Sequence, residues 1–192
     1  MKRKILLAAA VAFTFNYAFS QTEKGKFLVS GSTEVSYSSV KTTIKYDGET
    51  MMESDENHNT FNIKPAIGYF VANNIALTAS LDYSSEKLGS DKKNSLIFSP
   101  GLRYYIGSSN IRPLLLAEIG LGSMTETIDS EEEKMGLFGY GLAGGAAIFI
   151  SPAISFEALL GYTSLTATYK EDTKLKAIGS GVAFQAGFSV YF

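Results

Sequence analysis

The sequence contains no cysteine, and that absence removes several chemistries at once. It has no disulfide, no thiolate nucleophile and no cysteine to carry a lipid anchor. Histidine is almost missing too: His58, in "DENHNT", is the only one. It has no second histidine or cysteine with which to build a transition-metal site, and it reads as a surface residue of a loop or strand tip. Basic charge is also short. The whole chain carries 17 basic against 19 acidic residues. Without Lys2, Arg3 and Lys4 the balance is 14 against 19, a net charge of −5. Such a surface repels phosphate backbones, so no nucleic-acid partner is expected. Beyond the first twenty residues no apolar run approaches the ~18 residues that a spanning helix needs.

The first twenty residues are a different case. "MKRKILLAAAVAFTFNYAFSQ" opens on three basic residues and runs apolar from Ile5 to about Phe15. Ala18 and Ser20, two apart, then offer a small-residue cleavage site. This is the pattern of a secretory signal peptide over 1–20, too short to span a bilayer. The expected mature domain is 21–192, a single domain by length.

What fills that domain is alternation. In "GKFLVSGSTEVSYS" Phe27, Val29, Val35 and Tyr37 alternate with Ser30, Ser32, Glu34 and Ser36. "TFNIKPAIGYFV", "IALTASLDYS", "SLIFSPGLRYYI", "IRPLLLAEIGLG", "LFGYGLAGGAAIFI", "ISFEALLGY" and "GVAFQAGFSVYF" repeat the pattern. Successive strand side chains point to opposite faces, so each segment predicts a strand with one apolar face. "ANN", "GSSN" and "SPA" connect alternate pairs as tight turns. The other connections are long and charged, beginning with "SVKTTIKYDGETMMESDENHN".

Glu34, Lys64, Asp82, Arg103, Arg112, Glu118 and Glu157 are the charged residues of these segments, and each falls on the less apolar face. A charge facing lipid at mid-bilayer costs roughly 2–4 kcal/mol, so such exclusion suits a membrane face. A soluble sandwich or lipocalin-like barrel would need a surface far richer in charge. Its core face would also not be the one lined by Gly, Ala and Ser. The expected fold is therefore all-β: an eight-stranded antiparallel up-and-down transmembrane β-barrel. Closure is required, because an open edge in lipid leaves main-chain groups unpaired.

Inside it, Phe70, Tyr105, Phe149 and Tyr191 should close the short-turn end, and Lys64 should pair with Asp82 across the second hairpin. Glu34 and Glu118 should lie at a similar depth, with Arg103, Arg112 and Glu157 nearer the short turns. These charges are read as structural, neutralising one another in a lumen that side chains fill. Tyr69, Tyr104 and Phe192 should mark one membrane interface, and Tyr37, Phe61, Tyr83, Phe138 and Tyr162 the other. The acidic stretches "DGETMMESDE" and "TETIDSEEEK" lack the spacing of a calcium loop, so no metal or other cofactor is expected. Pro65, Pro100 and Pro113 stand out, because proline removes a ladder donor and a closed barrel has no edge to hide it on.

The export signal, eight alternating strands, short turns opposed to long connections and a final Phe192 resemble the small outer-membrane barrels of Gram-negative bacteria, of the OmpX and OmpA membrane-domain type. The resemblance covers residues 21–192 and rests on architecture, not on one motif. It implies periplasmic termini, long loops outside the cell, and lipid and lipopolysaccharide as surroundings. It also implies insertion by the barrel-assembly machinery, with Phe184, Phe188, Val190 and Phe192 as the recognised last-strand pattern. The soluble peptidoglycan-binding domain that follows the barrel in OmpA-like proteins has no counterpart here, so that role is not expected. Within this family the expectation is a non-enzymatic, monomeric barrel acting in membrane integrity and in surface interaction through its loops. A small channel for ions or apolar solutes, and a lipid-modifying enzyme using His58, are the alternatives.

Overall fold

The computed structural model describes residues 22–88, 91–128, 131–171 and 173–192, with side chains described outside 33–42, 52–63, 85–88, 91–93, 128 and 131. The expected signal peptide, and the side chains of Glu34, His58, Tyr37 and Phe61, therefore lie outside the described set. Eight strands follow one another: β1 (Phe27–Tyr46), β2 (Glu49–Ala72), β3 (Ile75–Leu88), β4 (Asp91–Tyr105), β5 (Ile111–Ile128), β6 (Glu131–Ser151), β7 (Ile154–Tyr169) and β8 (Leu175–Tyr191). Each pairs antiparallel with the next, and β8 returns to β1 to close the barrel.

The alternation sorts the side chains as the sequence implies, with the apolar face outward. Ile67, Leu142 and Ile150 are 64%, 61% and 66% exposed on the outer wall, whereas Leu28, Phe70, Tyr105 and Leu114 are fully buried within. An apolar belt of this extent around a closed ring is the signature of a lipid-facing surface.

The long connections differ from expectation: most of their length is strand. β1 and β2 run 20 and 24 residues and meet at a two-residue turn, Asp47–Gly48. Both turn residues have positive φ, 50° and 89°. That is the primed turn that matches hairpin twist, and Asp-Gly is its sequence signal. β8 likewise starts at Leu175, earlier than the apolar alternation suggests. Above the membrane neither face must be apolar, so the pairing continues while the period-two hydrophobic pattern stops.

The three prolines are accommodated where a ladder ends. Phe70 N–H donates to the Lys26 carbonyl at 2.9 Å, and Gly25 N–H donates to the Phe70 carbonyl at 2.9 Å. Even positions of lower β2 therefore bond toward β1 and odd ones toward β3. The β2–β3 ladder runs from Ala72↔Ile75 to Ala66↔Ser80, so Pro65 is the first position past its end. In β4, Ile106 N–H donates to the Pro113 carbonyl at 2.8 Å, which turns even positions toward β5. The β4–β5 ladder skips from Phe98↔Leu121 to Gly101↔Glu118, and Pro100 sits in that gap. Pro113 occupies the last rung, opposite Ile106, beyond the end of β4.

The closing seam has two controls. Gly187 lies opposite Ser32, and a Cβ there would stand 2.6 Å from the Gly31 carbonyl oxygen and 2.7 Å from Ser32 Cα. At the end of the seam, Phe27 N–H donates to the Phe192 carbonyl at 2.8 Å and Phe192 N–H to the Phe27 carbonyl at 3.0 Å. The two rings stack with centroids 6.1 Å apart, and Phe27 also meets Tyr69 at 4.9 Å. Gly187→Val should thus destabilise the barrel by ~1–3 kcal/mol through overpacking against main chain. In heat-modifiable gel migration the folded band should be lost at a lower temperature than in wild type. Deleting Phe192 should lower the folded fraction more than Phe192→Ala does, because only the deletion removes both closing hydrogen bonds.

Candidate functional site in the barrel lumen

The inward positions near the short turns build a floor in layers. The lowest is made around Thr22, just before β1; the Thr22 carbonyl accepts from the Asn74 N–H at 2.6 Å. Thr22 is fully buried. Its hydroxyl donates to the Asn74 side-chain oxygen and accepts from Arg112 Nη1 at 2.7 Å. Arg112 Nε donates to the Ser109 carbonyl at 2.9 Å, and its guanidinium stands 4.3 Å over the Phe149 ring. Above it lie the four expected aromatics. Tyr191 is the hub, with ring centroids 5.2 Å from Phe149, 6.2 Å from Phe70 and 6.2 Å from Tyr105.

The next layer is a buried ion pair tied into that floor. Arg103 and Glu157 are each 5% exposed. Arg103 Nη1 donates to Glu157 Oε2 at 2.8 Å, and Nη2 donates to Ser30 Oγ at 3.1 Å. The other carboxylate oxygen accepts from the Tyr105 and Tyr191 hydroxyls, both at 3.0 Å. With its proton committed to Glu157, Tyr191 accepts from Ser155 Oγ at 2.9 Å. Strands β1, β4, β7 and β8 are thereby laced together across the lumen. Burying two charges is costly unless their hydrogen bonds are filled, and here three donors converge on one carboxylate.

Higher again, Lys64 of β2 donates to Glu118 of β5. This corrects the expected Lys64–Asp82 pair. The expected register holds from Phe70↔Ala76 to Ala66↔Ser80, but the ladder stops before it reaches Lys64 and Asp82. Lys64 instead reaches across the lumen, and beside it Gln185 Nε2 donates to Ser32 Oγ at 2.5 Å. Among the described residues, voids of about 30 Å³ and about 10 Å³ lie between the ion-pair layers, each of roughly single-water size.

Above Lys64–Glu118 the lumen widens into a polar cup of about 300 Å³. Lys64, Asp82, Glu118, Ser84, Ser99 and Thr163 are among its lining residues. A further concavity of about 610 Å³, between Tyr104, Leu115 and Leu142, belongs to the outer apolar wall.

Of the charged residues singled out in the sequence, Lys64, Arg103, Arg112 and Glu157 are buried in the lumen, and Asp82 and Glu118 line the cup. Glu34 takes its backbone place opposite Asn62 and Gln185. Phe184, Phe188, Val190 and Phe192 all face outward. The hydrogen-bonding partners went unforeseen: the hydroxyls of Tyr105 and Tyr191, the small Ser30 and Ser155, and Thr22. Tyr105, Glu157 and Tyr191 do share the inner face close to the short turns, which is the signal that would have joined them.

The Arg103–Glu157 tie should carry much of the barrel's stability. Glu157→Ala strands a buried guanidinium, so a loss of ~3–5 kcal/mol is expected. Glu157→Gln, which keeps acceptors for the tyrosines, should lose less. Thermal unfolding in detergent reads both. Two variants as stable as wild type would show that the pair holds nothing together.

Among curated protein sequences, none matches this chain. Solved structures do resemble it. Neisserial surface protein A is 15% identical, with 88% of this chain and 100% of that chain covered and a TM-score of 0.55. The N-terminal β-barrel domain of Pseudomonas aeruginosa OprF is 12% identical, with 88% and 98% covered and a TM-score of 0.56. The outer membrane protein OprG of the same organism is 16% identical, with 91% and 99% covered and a TM-score of 0.50. At such identities these likenesses speak for the fold. The sequence itself matches the family described as "Outer membrane protein beta-barrel domain" over residues 5–192, so with its closed ring, outward apolar belt and charged lumen this chain belongs to that family of outer-membrane barrels.

Proposed function

We propose that this barrel is a non-enzymatic wall element whose lumen is closed by its own side chains and whose work is done by the strand hairpins on the far side from the short turns. The termini and short turns face the periplasm in this reading, and the hairpins stand outside the cell. The observation that carries it is the layered floor, in which Arg103–Glu157 and four aromatic rings fill the cross-section. A span of the outer membrane takes ~9–11 tilted residues. With 20, 24 and 21 residues, β1, β2 and β6 have enough left over to raise a rim above the lipid.

That rim is where a partner is met. At the tip of the first hairpin Met51 is 70% exposed and Tyr46 is 45% exposed, beside the Asp47–Lys174 ion pair at 3.2 Å. An exposed pair of this kind adds ~0–1 kcal/mol, so it orients the two hairpins more than it stabilises them. Lys170 and Lys176 stand near that pair in sequence and are suited to lipopolysaccharide phosphates. The protein works as a monomer in lipid and lipopolysaccharide, is inserted by the barrel-assembly machinery through its last strand, and uses neither cofactor nor nucleic acid.

Replacing residues 41–54 by a short Asp-Gly hairpin should leave a heat-modifiable barrel at wild-type levels. The surface-binding profile of cells carrying the shortened protein should match that of cells lacking it. A profile unchanged from wild type would contradict the assignment of function to this hairpin.

A further inference from the structure

The outer wall is not an even cylinder. Between β3 and β6 it carries the concavity of about 610 Å³, and the register explains it. Ile75 faces Tyr104, Tyr104 faces Leu115, and Leu115 faces Gly144, in one row across these strands. In the next row Ala117 faces Leu142. Facing side chains on one surface of a sheet are close neighbours, so short ones leave a trough between the longer ones. Gly144 and Ala117 are the short positions. The row spans three strand spacings of ~4.8 Å, about 14 Å in all. Barrel strands are tilted, so the row also climbs. Ile75 is the first residue of β3, whereas Gly144 lies seven positions inside the end of β6 at Ser151. The trough thus starts at the short-turn edge and rises into the apolar belt.

Its lower end has a cation beside it. The backbone before β1 is fastened to the β2–β3 turn, which leads straight into Ile75. Asn74 N–H donates to the Thr22 carbonyl at 2.6 Å, and Lys24 N–H donates to the Asn73 side-chain oxygen at 3.0 Å. Tyr105 N–H donates to the Asn74 carbonyl at 2.9 Å, which ties the same turn to β4 next to Tyr104. Lys24 is held by its main chain, and the residue is exposed. Over residues 22–26, Lys24 and Lys26 stand against Glu23, so this edge is cationic on a barrel of net negative charge.

We propose that this trough holds one acyl chain of an anionic glycerophospholipid, with the lipid's phosphate at Lys24. The surroundings select that occupant. The trough is continuous with the lipid-facing belt, so an aliphatic chain is the material against it. A concavity of ~300–1,000 Å³ takes one drug-sized ligand, which is the bulk of an acyl chain and far below the several chains of lipid A. A chain lying in the trough touches its walls as well as its floor, and gains dispersion contacts that a chain on the flat wall lacks. At the edge, the Lys24 ammonium meets the phosphate as a point charge, and the Tyr104 hydroxyl donates to the ester region. The site depends neither on what the hairpins bind nor on which side of the membrane the short turns face.

The test uses the full barrel, 21–192, in phosphatidylcholine nanodiscs, with phosphatidylglycerol spin-labelled in mid-chain as probe. NMR reads the broadening of main-chain amides. In wild type, Ala117 and Gly144 should broaden more than Leu81, which is as far along β3 as Ala117 is along β5, and more than the outward Val182. The excess should saturate, and unlabelled phosphatidylglycerol should remove it where phosphatidylcholine does not. Ala117→Phe fills the trough and should abolish the excess at Gly144 while the barrel stays heat-modifiable. Lys24→Glu should weaken probe binding roughly five-fold with thermal unfolding unchanged. Equal broadening around the whole belt would leave only bulk lipid at the wall and overturn the site. Wild-type probe binding by Lys24→Glu would overturn the headgroup contact. Lipid A that displaces the probe as well as phosphatidylglycerol does would overturn the choice of lipid. Two barrels per nanodisc, with the trough amides shielded from the probe, would give the trough to a second copy and equally overturn the proposal.

Discussion

One constraint governs this molecule: within lipid, every main-chain N–H and C=O must find its partner inside the protein. The ring satisfies it by closing β8 on β1, and the last rung is the reciprocal pair between Phe27 and Phe192. The placement of glycine at 187, where a Cβ would strike the main chain of β1, follows from the same demand. So does the placement of the prolines. Each falls where a ladder already stops or skips, so none leaves a donor missing from an unbroken seam.

Closure creates a second problem, the inside. Eight strands enclose a space that side chains can fill. This chain fills the short-turn half with aromatic rings and then with charge. A buried pair such as Arg103–Glu157 is a poor source of stability by itself, since desolvation offsets most of its attraction. Its value here is connectivity. Through Tyr105, Tyr191, Ser30 and Ser155 it ties β4 across the lumen to the adjoining strands β7, β8 and β1. Above that layer the described residues line the cup, with the Lys64–Glu118 pair at its base.

Much of this was written in the sequence. The period-two pattern of a segment such as "IALTASLDYS" follows directly from lipid on one face and a narrow lumen on the other, so strand number, facing and closure could be read. The inward facing of Lys64, Asp82, Arg103, Arg112, Glu118 and Glu157 could be read for the same reason. Partner choice could not. Lys64 meets Glu118 rather than Asp82: the β2–β3 ladder ends at Ala66↔Ser80, two positions before them, and ladder length is not encoded in alternation. The hairpin arms were also hidden. Once a strand leaves the membrane, both faces meet water, and "KTTIKYDGETMMES" looks like a charged loop. Only the Asp-Gly turn announced the hairpin. The hydroxyl network around Glu157 was hidden differently. Serine and tyrosine on an inner face read as filler until the cross-lumen distances are known.

The central claim is that the lumen is closed by the Arg103–Glu157 layer and the aromatic floor. Single-molecule conductance in a planar bilayer tests it most directly. Wild-type protein should show no steady openings, and a variant with Arg103, Tyr105 and Tyr191 all changed to Ala should conduct. Steady openings of the wild-type barrel would contradict the claim.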